Sequence, residues 1–209
     1  MAKLNLDYYT AKDHYSDGDI ENTLLEMARE GKSFQDLPED EVSFPMVYHF
    51  SDLRENILNW YPLKKTDSVL EIGAGCGAIT GMLCQKAGKV ISVELSRRRA
   101  EINFARNSEK ENLTIMVGNL NDMTFPESFD YVVVNGVLEY AMSFTEGETP
   151  YETFLQEMGG YLKPEGKLLI AIENRLGLKY FAGAPEDHTD IHFFGIDGYP
   201  ENHSVRTFS

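Results

Sequence analysis

Val69-Leu70-Glu71-Ile72-Gly73-Ala74-Gly75-Cys76-Gly77-Ala78-Ile79-Thr80-Gly81-Met82-Leu83 runs from a buried apolar strand through a glycine-rich turn into an amphipathic helix. Glycines at 73, 75 and 77 permit positive φ and let a ligand approach the main chain more closely than a Cβ would allow. Beyond the turn, Ile79, Met82, Leu83 and Ala87 recur at helical spacing. One helix face can therefore pack on a sheet while the free N–H groups of its first turn point back at the glycines. The stretch reads as a ligand-holding unit, and the rest of the chain is placed relative to it.

With 209 residues and 42% hydrophobic content, the chain can bury one sizeable core, and one domain with an extension is expected. Residues 1–66 are read as a helical N-terminal extension or lid and residues 67–209 as the ligand-binding domain. The formal net charge of −15, from 34 acidic and 19 basic residues, sets a surface field that repels polyanions. No nucleic-acid partner is expected. Cys76 sits in the glycine turn and Cys84 on the helix it starts, so neither fits a disulfide framework or a metal-ligand spacing. No apolar stretch approaches the ~18 residues a membrane span needs. No membrane insertion and a cytoplasmic setting are the expectations.

Along the chain, Ile20, Leu24, Leu25 and Ala28 predict a short helix ending at Gly31, and Leu53, Ile57, Leu58 and Trp60 a second one beginning near Ser51. No strand is expected in 1–66. The aromatic cluster Tyr8, Tyr9, Tyr48, His49 and Phe50 can serve as a lid over the ligand, or simply pack the extension onto the domain. From Ser68, strands alternate with helices, the pattern of a parallel sheet covered on both faces. Lys89–Glu94, Leu113–Val117, Phe129–Val134 and Lys167–Ile172 are the later strands. Ser96 caps the helix after Glu94, and Thr149-Pro150-Tyr151-Glu152 opens another with a capping box.

In open parallel sheets the ligand sits past the carboxyl ends of the strands. Glu71-x-Gly73-x-Gly75-x-Gly77, Glu94, Asn119 and the strand exit Asn135-Gly136-Val137-Leu138-Glu139-Tyr140, in that order, resemble class I S-adenosylmethionine (SAM)-dependent methyltransferases over about residues 67–173. The resemblance implies a Rossmann-like doubly wound α/β fold with strand order 3-2-1-4-5. It also implies SAM as cofactor and S-adenosylhomocysteine as product. Glu71 is placed to face a ligand amino group, and Gly73, Ala74, Gly75, Cys76 and Gly77 hold the cofactor. Glu94 accepts from both ribose hydroxyls, Leu95 covers the adenine, and Asn119, beside Leu120, stands where the class usually has an acid for the adenine amino group. Asn135 and Gly136 complete the cofactor set. Candidate acceptor-binding residues are Tyr9, Tyr48, Glu139, Tyr140, Glu173 and Asn174.

Residues Leu70–Leu83 also look like the corresponding motif of ribosomal-RNA adenine dimethyltransferases. The Asn/Asp-Pro-Pro-aromatic exit of adenine methylases is missing at 135–140, and the charge opposes RNA. Glu173-Asn174-Arg175-Leu176 to His188 is similar to a segment of bacterial methyltransferases associated with surface-polysaccharide assembly. The expected reaction is methyl transfer from SAM to a small or saccharide-linked acceptor, at oxygen, with His188 as general base oriented by Asp187. No metal site is expected from Asp187, His188, Asp190 and His192. Three other readings remain: a SAM-binding module without turnover, an RNA methyltransferase, and, because Gly73-x-Gly75-x-x-Ala78 satisfies the dinucleotide fingerprint, a nucleotide-dependent oxidoreductase. The apolar run Leu168–Ile172 is the last strand found, whereas the class normally adds a further strand pair. Either the chain lacks that pair, or residues 174–209 or a second copy cover the edge.

Overall fold

Six strands form one sheet with every neighbouring pair parallel: β1 (Lys3–Tyr8), β2 (Ser68–Ile72), β3 (Lys89–Glu94), β4 (Leu113–Gly118), β5 (Phe129–Asn135) and β6 (Leu162–Ala171). The computed structural model describes residues 1–11, 16–200 and 204–209. The spatial order is β1-β4-β3-β2-β5-β6. The five strands read from the sequence, β2 to β6, thus lie in the expected 3-2-1-4-5 order. The helices are α1 (Ile20–Glu30), α2 (Phe44–Phe50), α3 (Thr80–Lys86), α4 (Arg97–Asn107), α5 (Ala141–Phe144), α6 (Pro150–Gly160) and α7 (Leu178–Phe181).

Strand alternation divides the core into two layers. Val69, Val90, Leu113, Ile115, Val117 and Val133 point to the face covered by Met82 and Leu83 of α3 and Ala100 of α4. Leu70, Ile72, Ile91, Val93, Met116, Val132 and Val134 point to the other, against Phe154 and Met158 of α6. Each fully buried aliphatic side chain contributes about 1.5–3 kcal/mol, which is why the central strands read as continuous apolar runs rather than alternating ones.

β1 corrects the expectation of a purely helical extension, since it pairs with β4 from Lys3↔Thr114 to Tyr8↔Gly118 and so belongs to the sheet. A boundary at residue 66 cuts through that sheet. Only Leu4 and Leu6 alternate with Lys3, Asn5 and Asp7. The strand lies at an edge, where charged side chains are compatible with solvent and discourage further pairing. The second helix also differs. Ser51 caps a 3-10 turn over Asp52–Ile57, with its Oγ accepting from Leu53 N–H at 3.3 Å. Leu53 and Trp60 are 75% and 74% exposed. The buried work falls to α2, which begins at Phe44-Pro45, proline being well placed in a first helical turn. At α6, Pro150 is in the first turn as expected, but the Thr149 side chain makes no cap bond.

α1 ends at Gly31 with φ 67° and packs on α4 through Leu24, Met27, Ala28 and Ile102. Arg99 fastens it there: Nε donates to Glu21 Oε1 at 2.9 Å and Nη2 to Asp17 Oδ2 at 2.7 Å. Glu21 is fully buried, so the guanidinium is its compensating charge.

In β6, Phe129 pairs with Leu162 but Tyr131 with Lys167, so Lys163-Pro164-Glu165-Gly166 bulge out. The turn read there exists, inside a longer strand. Past β6, Asn174 and Phe208 form a parallel bridge and Arg175 N–H donates to Phe208 O at 3.0 Å. Among the described residues no strand pairs with the outer edge of β6, and Phe208 packs instead against the apolar layer under α6.

A Cβ on Gly118, whose φ is 141°, would stand 2.3 Å from the Tyr8 carbonyl oxygen. Gly118→Ala should therefore detach the end of β1 and cost about 2 kcal/mol. Urea unfolding measures the loss, and limited proteolysis should cleave near Tyr9 faster than in the parent chain. Unchanged stability and cleavage would show that this pairing contributes nothing.

Candidate active site

The exits of β2, β3 and β4 converge on the glycine turn. Gly73, Gly75 and Gly77 have φ of 68°, 54° and 79°, the left-handed region in which a side chain is costly. Gly73 and Ala74 N–H both donate to the Val93 carbonyl, at 2.9 and 3.0 Å, pinning the turn to β3. The three glycines have different neighbours. A Cβ on Gly73 would strike Val137 Cγ2 at 2.3 Å and one on Gly77 would strike Asn103 Oδ1 at 2.3 Å, whereas one on Gly75 meets nothing within 4 Å. Only Gly75 opens to free space. Cys76 is buried, with its thiol pushed up to about 12 by burial, and is not a nucleophile at neutral pH.

Glu94 ends β3 with 8% exposure. Its Oε2 accepts from Gly75 N–H at 2.7 Å and its Oε1 from Ser96 N–H at 2.8 Å. Burial raises its pKa, while those two main-chain donors and Arg99 oppose the rise. Ser96 caps α4 as expected, Oγ accepting from Arg99 N–H at 3.4 Å. Beside this lies a cleft of about 390 Å³ lined by Tyr9, Leu95, Asn119, Asp122 and Phe144 among others. Asn119 Oδ1 already accepts from Asn121 N–H at 3.1 Å, capping the 3-10 turn Leu120–Asp122. That turn brings Asp122 to the cleft and packs Leu120 against the apolar core instead.

A second group of side chains sits past β5 and β6. Gly136 N–H donates to the Ala171 carbonyl at 2.9 Å, tying the two exits together. Glu139, 2% exposed, follows on the next turn, and burial pushes its pKa up to about 7. A carboxylate oxygen of Glu139, one of Glu173 and a ring nitrogen of His188 all lie within 4.8 Å of one another. His188 Nδ1 is 2.9 Å from Glu186 Oε1, and Glu186 Oε2 accepts from the N–H groups of His188 and Thr189, both at 2.9 Å. The Tyr140 ring meets His188 edge-on at 5.5 Å.

Residues 70–170 match the family model described as a methyltransferase domain. This segment is a class I, SAM-dependent methyltransferase domain.

A probable ribosomal RNA small subunit methyltransferase A of Methanosarcina mazei is 43% identical over 81 residues, 39% of this chain and 29% of that protein. Phosphoethanolamine N-methyltransferase 3 of Arabidopsis thaliana is 35% identical over 114 residues, 52% of this chain and 23% of that protein. The matches thus span less than a third of either relative. The phosphoethanolamine N-methyltransferase 1 of Haemonchus contortus, solved with phosphoethanolamine and S-adenosylhomocysteine, superposes with a TM-score of 0.56 at 18% identity, over 93% of this chain and 39% of that one. At that identity the likeness is one of fold. No helix among the described residues is long and apolar enough to cross a membrane.

Within the methyltransferase domain, the turn and Glu94 meet through the Gly75 N–H, and Leu95 lines the neighbouring cleft. Four placements differ from those expected. Glu71 does not face the cleft: at 2% exposure its Oε2 accepts from Thr80 Oγ1 at 2.8 Å and Ser92 Oγ at 2.5 Å, because strand alternation turns it toward α3. Asp187 does not orient His188. It takes Tyr180 OH at 2.9 Å and Lys179 Nζ at 2.5 Å, and Glu186 is the partner of the imidazole. Of the aromatic cluster only Tyr9 lines the cleft; Tyr48 stacks under Arg54 at 4.2 Å on α2, and Asn174 caps its own turn through Leu176 N–H at 2.9 Å. Asp122 and Glu186 escaped the sequence reading, although each lies close to a residue that it named.

Burial raises Glu71 to about 7, its Ser92 and Thr80 hydrogen bonds pulling the other way. The folded state then holds a proton that the unfolded chain releases. The associated stability is complete below the unfolded pKa and is lost as pH climbs through about 7. Glu71→Gln should flatten the decline in urea-derived stability between about pH 5 and about pH 8 by an amount on the order of 3 kcal/mol. Glu139, raised to a similar value, carries part of the remaining decline. Parallel pH profiles for parent and variant would show that Glu71 holds no such proton.

Proposed function

We propose that the chain transfers the methyl group of SAM to an oxygen of a small or saccharide-linked acceptor. The observation that carries this reading is the placing of two different sites along one sheet edge. The cleft lined by Leu95, Asn119 and Asp122, with the Gly75–Glu94 pair next to Leu95 in the chain, suits a nucleoside, and beyond Gly136 three acceptor atoms of Glu139, Glu173 and His188 converge. In the reaction the acceptor oxygen forms a bond to the methyl carbon, the sulfur–carbon bond breaks with its pair returning to sulfur, and the hydroxyl proton leaves toward the second site. A sulfonium neutralises as it reacts, so alignment in a dry pocket accounts for most of the acceleration. In the first site Glu94 has lone pairs left for ribose hydroxyls, and Asp122 supplies the carboxylate for the adenine amino group that Asn119 lacks. In the second, Glu186 fixes the His188 tautomer.

The similarity to ribosomal-RNA methyltransferases favours a second reading, RNA as acceptor. A net charge of −15 and the absence of an Asn/Asp-Pro-Pro-aromatic run at the β5 exit weigh against it. A filter-binding assay at physiological salt separates the two: submicromolar RNA affinity would favour RNA.

Calorimetry tests the cofactor site. Glu94→Ala should weaken binding of S-adenosylhomocysteine by about 1–3 kcal/mol, and Gly75→Ala, whose Cβ enters open space at a backbone strain of roughly 1–2 kcal/mol, should weaken it as well while the circular dichroism stays near that of the parent. Unaltered affinity in both variants would remove the ligand from this turn.

A further inference from the structure

We propose that Glu139, Glu173 and His188 form a binding site for one divalent first-row transition ion, such as Mn²⁺, Co²⁺ or Zn²⁺. The proposal goes beyond methyl transfer and does not rest on it, since it follows from three side chains and their surroundings.

Geometry is the first argument. Residues brought in by three separate segments, the 3-10 turn Leu138–Tyr140 after β5, the exit of β6 and the turn at 187–189, place one ligand atom each within 4.8 Å of the others. Satisfaction is the second. Glu139 is 98% buried by the 2% exposure given above, and its Oε2, like Glu173 Oε2, has no hydrogen-bond partner. Among the described residues no lysine or arginine pairs with either carboxylate. Two carboxylate oxygens and an imidazole lone pair that face one another, one of them fully buried, are unfavourable unless a proton or a cation joins them.

The imidazole is the third argument. With Nδ1 donating to the buried Glu186 carboxylate at 2.9 Å, His188 presents a lone pair on Nε2. A carboxylate behind a histidine is the usual outer partner of a metal-bound imidazole, fixing its tautomer and ring plane. Tyr199 OH in turn donates to Glu186 Oε1 at 3.2 Å and the Tyr140 ring abuts the imidazole, so the ligand is held on two sides. One nitrogen and two carboxylates suit a borderline ion better than Mg²⁺ or Ca²⁺, which prefer all-oxygen sets. Three protein ligands leave positions for water or an acceptor oxygen, as open metal sites do. With the ion present, the three side chains would hold it, and it would supply Lewis-acid activation of a bound hydroxyl in place of His188 as proton acceptor.

The test uses the full chain stripped with chelator and titrated with Mn²⁺ in the presence of millimolar Mg²⁺, which occupies adventitious sites on this acidic surface. Electron paramagnetic resonance of free Mn²⁺ should show one equivalent bound. Co²⁺ should give visible absorption of a nitrogen-ligated ion. Glu173→Gln and His188→Gln should each weaken Mn²⁺ binding at least tenfold, and His188→Gln should erase the Co²⁺ spectrum. Glu186→Gln, which changes a positioning residue, should weaken binding roughly 10–100-fold with the stoichiometry kept. Asp190→Asn should change nothing. Binding that Mg²⁺ abolishes, or that Glu173→Gln and His188→Gln leave intact in variants with parental circular dichroism, overturns the proposal. Calorimetry with S-adenosylhomocysteine stays independent of all these outcomes, so failure of the metal site and failure of the methyltransferase reading are told apart.

Discussion

One carboxylate ties the site together. Glu94 reaches from the end of β3 to the Gly75 N–H at 2.7 Å on one side and to the Ser96 N–H at 2.8 Å on the other. A carboxylate at 8% exposure is expensive to ionise unless main-chain donors meet it, and here both oxygens are met. The bond fixes the height of the glycine turn above the sheet. It also fixes the start of α4, and hence the position of Arg99, whose guanidinium compensates Glu21 and holds α1. The N-terminal segment is therefore anchored, through one helix, to the residue that pins the glycine turn.

The same economy is seen under the turn. Glu71, Thr80, Ser92 and Asn103 form a closed polar network in an otherwise apolar layer, with Asn103 Nδ2 donating to Thr80 Oγ1 at 3.1 Å and Asn103 Oδ1 lying against Gly77. A buried network of this kind is tolerable because its members meet one another. It supports the turn from below, while Val137 supports it from the side.

Much of this was legible in the sequence because the central strands are covered on both faces and so appear as apolar runs, and because a glycine turn between such a run and an amphipathic helix has few other readings. β1 was not legible: Leu4 and Leu6 alternate over too short a span, and the partner that makes them a strand, β4, is remote in sequence. α2 was missed because Phe44-Pro45 reads equally as a loop and as a helix start. In the site, one-residue choices decided the errors. Asp187 and Glu186 are neighbours, and only the local turn determines which carboxylate points inward. Glu139, Glu173 and His188 are far apart along the chain, and their meeting follows from the adjacency of β5 and β6, which no spacing rule contains.

The motif glycines answer to different pressures. Gly73 is required by Val137 and Gly77 by Asn103, both parts of the protein itself, while Gly75 alone faces open space. A relative that had lost Gly75 but kept the other two would bear the backbone strain of φ 54° without a collision against its own side chains. Among descendants of such a domain, the particular glycine replaced would distinguish a decayed enzyme, still folded and free to take up a binding role, from a chain that no longer folds at all.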